Sequence, residues 1–276
     1  WFDSEVLAKK VDSNNFSLLM SSLVESKNLK LWTLWSPKDV LFDFIDELSE
    51  ELKERKDYNL YTEIFAKNIA SRDIFMYTFD SDGQDFLSKI WIDGSVDYNN
   101  TLDYNYPVFT SISWNKSDRY MKQSYTKYVS EFDNCIISTR LNVKLEHDFT
   151  LANETETLNI FDEYDIDVSE NIDIQWKWEN KQFVRIVLPK NSIIKNDNVV
   201  VRNYPNTRVV EFYMNTPRLE SSYFVLSYLI PNEQCKEYDY TLYKQPWIVE
   251  YDLEMIVWEE SNKMTWITQD FEYKLQ

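Results

Sequence analysis

The stretch LNVKLEH, residues 141–147, decides the fold, because apolar and polar side chains alternate along it. Leu141, Val143 and Leu145 are separated by asparagine, lysine and glutamate. A period of two places each set on its own face of a β-strand. VEYDLEMIV, residues 249–257, follows the same rule. Both stretches therefore predict half-buried antiparallel strands.

Four further stretches extend this pattern through the second half of the chain. They are FVRIVLP (183–189), RVVEFYM (208–214), SYFVLSYLIP (222–231) and DYTLYK (239–244). Asparagine, proline and serine-rich turns separate them, as is typical of antiparallel strands. Six or seven strands at such spacing predict a two-sheet sandwich.

The first hundred residues have a helical period instead. In SPKDVLFDFIDELSEELKERK, residues 36–56, apolar residues recur on one helical face, and Ser36 and Pro37 suit a capped first turn. Other predicted elements are helices near residues 16–23, 60–69 and 81–90 and a buried strand, DIFMYTF, at 73–79. The chain is therefore predicted to be α+β, with a helix-containing part at 1–110 and an antiparallel β-sandwich-like part at 111–276.

Charge and length narrow the possible partners. The 276 residues include 29 basic and 47 acidic side chains, which gives a net charge of −18. Such a surface repels phosphate backbones, so we expect no nucleic acid partner. No apolar run reaches the length of a membrane span. The chain begins at Trp1 and not at methionine, so we expect it to be a piece of a longer protein.

Residues that carry common catalytic chemistry are scarce. His147 is the single histidine and is expected to be an ordinary surface or edge residue. With only two glycines, the sequence has no phosphate-binding loop and no dinucleotide fingerprint. The acidic run at 162–173 could hold calcium, but without a glycine at its turn a solvated loop is favoured. We therefore predict no cofactor, no metal and no catalytic residue in this chain.

Two pairs of residues leave alternatives open. Cys135 and Cys235 form no CxxC motif, so they are either a disulfide or two separate buried thiols, and the sequence favours the thiols. Trp176 and Trp178 alternate along one predicted strand. That spacing suits a carbohydrate platform, but a packing stripe is the commoner outcome.

Several segments resemble bacterial envelope proteins of the domain of unknown function 4012 family. The segment SISWNKSDRY is similar to that family's Asn-x-Gly-Gly-x-Lys-Ser-Asp motif, and KQPWI is similar to its Lys-Gln-Pro-Gly ending. The similarity runs in order over about residues 60–276. The positions matching these motifs are Asn115, Lys116, Ser117, Asp118, Arg119, Lys244, Gln245 and Pro246.

The resemblance implies an extracytoplasmic, membrane-anchored envelope protein without an established reaction. The chain would then serve as an interaction or structural module, whose partner is an unknown envelope component or protein. Its membrane anchor would lie in an upstream part that this chain lacks. The alternatives are an accessory portion of a LytR-like glycopolymer transferase and an acidic carbohydrate-binding module.

Two departures from the family motifs concern glycine. Trp114 and Trp247 stand where the family has glycine, at turn positions that favour a positive φ. Average usage predicts roughly 19 glycines in a chain of this length, whereas this one has two glycines and ten tryptophans. A gene from an organism that reads UGA as glycine, translated with UGA as tryptophan, would produce this imbalance. A protein whose turns use asparagine, aspartate and serine is the rival explanation.

Overall fold

The computed structural model describes residues 2–13, 15–25, 39–90, 92–96, 98, 101–112, 116–133, 135–163, 179–232, 235, 237–246, 248–258 and 260–274. The chain divides into two compact units. The first comprises Trp1–Tyr61, Trp114–Tyr120 and Asp148–Trp178. The second comprises Thr62–Ser113, Met121–His147 and Glu179–Gln276. The units therefore interleave along the chain and do not follow the single boundary expected at residue 110.

The helices are α1 (Phe16–Glu25), α2 (Asp39–Arg55), α3 (Tyr58–Ala70), α4 (Ser81–Lys89) and α5 (Leu151–Glu163), and a 3-10 helix covers Ser117–Tyr120. The first seven strands are β1 (Phe2–Ser4), β2 (Lys9–Val11), β3 (Asp103–Ser111), β4 (Met121–Asp133), β5 (Ile136–His147), β6 (Asn180–Pro189) and β7 (Ile193–Ile194). The others are β8 (Val200–Asn203), β9 (Thr207–Thr216), β10 (Ser221–Pro231), β11 (Asp239–Leu242), β12 (Tyr251–Val257), β13 (Glu260–Ile267) and β14 (Phe271–Lys274).

The second unit is a sandwich of two six-stranded sheets, which confirms the predicted α+β class and sandwich. Sheet I has the strand order β13-β12-β4-β5-β10-β7, and sheet II has the order β14-β11-β3-β6-β9-β8. Most neighbours are antiparallel. The exceptions are β12 beside β4 and β11 beside β3, which run parallel, so both sheets are mixed where purely antiparallel pairing was expected.

The alternating side chains fill the space between the sheets as predicted. Leu141, Val143 and Leu145 of β5 are buried, and the register of β4 and β5 sets Tyr125 opposite Val143. On sheet II, Val184 and Ile186 of β6 are fully buried in the same core. The polar residues between them face outward, so the period of two in the sequence separates core from surface.

The first unit has a small apolar core of its own. Leu18 and Leu19 of α1, Phe44 of α2 and Phe161 of α5 are buried there together with Phe149. Phe149 also lies against the ring of Tyr120, with ring centroids 4.8 Å apart. The helical period recognised in α1 and α2 thus marks real buried faces, although Ser36 and Pro37 lie outside the described residues.

Three local expectations were incomplete or wrong. The strand predicted at 73–79 is wrong: Phe75, Met76 and Tyr77 are exposed, and these residues form no strand because the segment joins no ladder. Helix α5 and the short pair β1 and β2 were not predicted. By contrast, α4 begins as expected, since the Asp80 side chain caps it by accepting from the backbone N–H of Gly83 at 2.7 Å.

Candidate functional site

A cluster of polar side chains lies inside the sandwich, between the two sheets. We call it the interior cluster. Its members are Asp103 and Asn105 of β3, Lys127 of β4, Tyr228 of β10, Tyr240 of β11, and Tyr238, which precedes β11. Asp103 and Asn105 are two residues apart on one strand and therefore point to the same face. Sheet II thus supplies the carboxylate and the carboxamide, and sheet I supplies the amine.

Water does not reach the charged pair at the centre of this cluster. The Lys127 ammonium lies 2.6 Å from Asp103 Oδ2, and both side chains are 0% exposed. The Lys127 Nζ atom also donates to Asn105 Oδ1 at 3.2 Å and to the Tyr228 hydroxyl. It lies 4.6 Å and 4.7 Å from the ring centroids of Tyr228 and Tyr240. The amine is therefore held by one carboxylate, one amide oxygen and two aromatic faces.

The remaining hydrogen bonds connect the cluster into one network. Tyr228 Oη donates to Asp103 Oδ1 at 2.8 Å, and Tyr238 Oη donates to Asp103 Oδ2 at 2.7 Å. Tyr240 Oη donates to Asn105 Oδ1 at 3.0 Å. Asn105 Nδ2 in turn donates to Tyr228 Oη at 2.9 Å. Polar groups buried this completely require such partners, because each unmade hydrogen bond costs about 1–3 kcal/mol.

Burial shifts the ionisation of these groups. Desolvation lowers the pKa of Lys127, while Asp103 opposes the shift by favouring the ammonium. Desolvation also raises the pKa of all three tyrosines, and the Asp103 carboxylate adds to that rise. The site consequently favours a neutral amine more than water does. Removing one partner of a buried ion pair costs about 3–5 kcal/mol, because the other charge stays buried and alone.

The sequence contained a signal for this cluster that our sequence analysis missed. Along β4 the inward positions are Gln123, Tyr125, Lys127 and Val129, so Lys127 occupies the apolar phase of the strand. A lysine in that phase is rarely fully buried unless it is paired. The partner could not have been chosen from sequence, because Asp103 lies on the other sheet.

The predicted motif residues Lys244, Gln245 and Pro246 follow β11, and the first two tie backbone segments together. Lys244 Nζ donates to the Ser71 carbonyl at 2.9 Å and lies 3.0 Å from Asp73 Oδ1. Gln245 accepts from the N–H of Phe109 at 2.6 Å and donates to its carbonyl at 3.0 Å. Lys244 therefore holds the segment after α3, and Gln245 holds β3.

A cavity of about 600 Å³ adjoins these residues. Arg72 and Asp270 line it, with Arg72 Nη1 3.1 Å from Asp270 Oδ2. The backbone N–H of Lys244 donates to Asp270 Oδ1 at 2.7 Å. Burial raises the pKa of Asp270, and the Arg72 guanidinium and these hydrogen bonds oppose that rise. Both charges of this pair are thus occupied by the protein itself.

The other motif residues lie in the first unit. Lys116 precedes the 3-10 helix, which contains Ser117, Asp118 and Arg119. Ser117 is buried, and the Arg119 guanidinium carbon lies 5.9 Å from the centroid of the Tyr120 ring. The predicted positions Trp114, Asn115 and Trp247 lie outside the described residues, as do Trp176 and Trp178 and most of the acidic run.

The two cysteines are bridged, so the preference for separate thiols was wrong. Cys135 lies in the turn between β4 and β5, and Cys235 follows β10. Their Cα atoms are 5.0 Å apart, within the usual range for a disulfide. Strands β5 and β10 are hydrogen-bonded neighbours, so their ends meet although the cysteines are 100 residues apart. Because the cysteines are so far apart in sequence, no local pattern predicts their contact.

His147 also differs from expectation, because it is buried at the end of β5 and not on the surface. Among the described residues, no group of three or more histidine, cysteine or acidic side chains is arranged to hold a metal ion. In the same part of the chain, no helix is both long and apolar enough to cross a membrane.

Comparisons with known proteins add no relative to this description. No protein-family model matches the chain, and no curated protein matches it either.

Proposed function

We propose that this chain is the outward-facing part of a membrane-anchored envelope protein, where it acts as an interaction or structural module. The observation that carries this proposal is the disulfide between Cys135 and Cys235. Disulfides persist in oxidising surroundings outside the cytoplasm and are rare inside it. The bridge also closes a long loop, which limits the freedom of the unfolded chain.

Two features of the chain support a structural role over catalysis on a substrate. Its interior charges are paired with one another: Lys127 with Asp103 inside the core, and Arg72 with Asp270 beside the cavity. The net charge of −18 suits a solvated surface facing outward. The likeness of Lys244, Gln245 and Pro246 to an envelope family agrees with this role, and the side chains of Lys244 and Gln245 hold backbone segments together.

The location can be tested on the full-length protein in intact bacteria. A membrane-impermeant amine reagent should label the protein before lysis, with a cytoplasmic protein of the same cells as the unlabelled control. Labelling that appears only after lysis would contradict the proposal. Two alternatives stay predictions: binding of a labelled polyprenyl phosphate would favour the transferase portion, and binding on a glycan array would favour the carbohydrate module.

A further inference from the structure

The interior cluster brings an amine, a carboxamide and a carboxylate together where water does not reach. We propose that Lys127 and Asn105 react with each other to form an intramolecular amide bond, which joins sheet I to sheet II covalently. Asp103 would carry the protons. This inference concerns the covalent structure of the chain and stands whether or not the envelope role holds.

The first requirement is a neutral amine beside its acceptor. Lys127 Nζ lies 3.2 Å from Asn105 Oδ1, so the carboxamide carbon is one bond beyond a hydrogen-bonded atom. Asp103 Oδ2, at 2.6 Å, is placed to accept a proton from the ammonium. Desolvation lowers the pKa of the Lys127 ammonium, which favours the loss of that proton.

The second requirement is a polarised carbonyl. The Tyr240 hydroxyl donates to Asn105 Oδ1 at 3.0 Å, and the Tyr228 hydroxyl lies 3.3 Å from the same oxygen. When Nζ attacks the carboxamide carbon, negative charge develops on this oxygen. Fixed donors aimed at such a position in a dry site stabilise the tetrahedral intermediate. The packed sheets also hold the reactants in place, which removes most of the entropic cost of the encounter.

The third requirement is a proton for the leaving nitrogen. Asn105 Nδ2 lies 2.9 Å from Tyr228 Oη, which lies 2.8 Å from Asp103 Oδ1. A proton taken by Asp103 from the amine can therefore return through the Tyr228 hydroxyl to Nδ2. The bond from Nζ to the carboxamide carbon forms, and the bond from that carbon to Nδ2 breaks. The ammonium and the carboxamide become a secondary amide and ammonium, Asp103 ends as it began, and nothing is oxidised or reduced.

Intact mass spectrometry of the folded wild-type protein, after reduction of its disulfide, decides the proposal. For protein produced from a gene that encodes all ten printed tryptophans as UGG, we expect a mass lower than that of the sequence by about 17 Da, one ammonia. Trypsin should then fail to cleave after Lys127 and should release a branched peptide joining residues 90–116 to residues 123–140. The full sequence mass would overturn the proposal. So would a loss of about 18 Da with Lys127 joined to Asp103, or a loss of about 17 Da without the branched peptide.

Variants then assign the roles. Asp103→Asn should keep the full sequence mass while circular dichroism still shows a folded sandwich, because the proton carrier is gone. Lys144→Arg is the matched control, since Lys144 is an outward-facing lysine on β5, and it should still lose ammonia. Loss of ammonia by Asp103→Asn to the same extent as wild type would overturn the role of Asp103. If that variant does not fold, the wild-type mass still decides the bond itself.

A different observation carries a second inference. Both tryptophans that the structure describes have positive φ: 47° at Trp258 and 60° at Trp266. Bulky residues rarely adopt this conformation, because the Cβ atom then crowds the backbone. The six other described non-glycine residues with positive φ are Ala8, Lys56, Arg72, Cys135, Leu219 and Cys235.

The local geometry at both tryptophans is one that selects glycine. Val257 pairs with Glu260, so Trp258 is the first residue of a two-residue hairpin loop, where primed turns require positive φ. The ladder between β12 and β13 shifts register beside Asp252, opposite Trp266, whose N–H lies 3.2 Å from Asp252 Oδ1. A bulge residue with positive φ is typically glycine.

We infer that positions 258 and 266 are glycine in the protein as its organism makes it, encoded by UGA. The gene's DNA tests this directly: UGA at both positions is expected, and UGG at either would overturn it. Peptide mass spectrometry of protein taken from the producing cells provides the second readout. Peptides carrying glycine at 258 and 266 are expected, and peptides carrying tryptophan would overturn the inference.

Discussion

Replacing Trp266 by glycine should leave the free energy of unfolding nearly unchanged, although it removes a large aromatic ring. Trp266 is 71% exposed, so removing its ring forfeits only about 0.5–1 kcal/mol of burial. Glycine adds freedom to the unfolded chain, which costs about 0.4–1 kcal/mol. Against these losses, relief of the left-handed backbone conformation contributes about 1–2 kcal/mol. The free energy of unfolding should therefore change by no more than about 1 kcal/mol in either direction.

Tyr213→Gly is the matched control, because Tyr213 is 72% exposed, lies in a strand and is absent from the residues with positive φ. This substitution also loses a ring contact with Phe183 and relieves no strain, so it should cost about 1–2 kcal/mol. Urea unfolding followed by circular dichroism, with equal m-values, gives both numbers. If Trp266→Gly destabilises as much as Tyr213→Gly, the backbone argument fails.

Three further outcomes are expected. Replacing Cys135 and Cys235 together by alanine should lower the free energy of unfolding by about 2–5 kcal/mol in thermal or urea melts, and no change would contradict a bridge in the wild-type protein. Gln245→Ala should lower the free energy of unfolding in urea melts by about 1–3 kcal/mol, because the N–H and carbonyl of Phe109 lose their partner. Gln245→Glu should keep the hydrogen bond from the Phe109 N–H and lose the one to its carbonyl. Burial raises the pKa of the three interior tyrosines above their unfolded value of about 10. Their contribution to the free energy of unfolding is therefore intact below pH 10 and is lost above it, at about 4 kcal/mol per pH unit. Urea melts that give the same free energy of unfolding up to pH 12 would refute this.

The strands of the sandwich were predictable because their cause is local. In β5, β6, β9, β10 and β12, alternating apolar residues mark the inner face, and every one of these strands is present. The strand expected at 73–79 failed because an apolar run alone does not specify a partner in a ladder. Helix α5 was not predicted because its two threonines and two asparagines have low helix propensity. Its start is nevertheless capped, since the Thr150 hydroxyl accepts from the N–H of Asn153.

The features that depend on distant parts of the chain were not predictable in this way. The parallel pairing of β12 with β4 joins segments more than 120 residues apart, and no local sequence pattern predicts it. The disulfide and the pairing of Lys127 with Asp103 depend on the same long-range arrangement. The sequence could place Lys127 on an inward face, but only the packed sheets supply its partners.

The most direct test of an extracytoplasmic, disulfide-closed module is the state of its two cysteines in the producing cells. Acid quenching, alkylation of free thiols, reduction and a second, distinguishable alkylation report whether each cysteine was oxidised. We predict that Cys135 and Cys235 both carry only the second label and that the unreduced digest contains one peptide pair joined through them. Both cysteines carrying the first label would contradict the account, because the protein would then exist with free thiols in a reducing compartment.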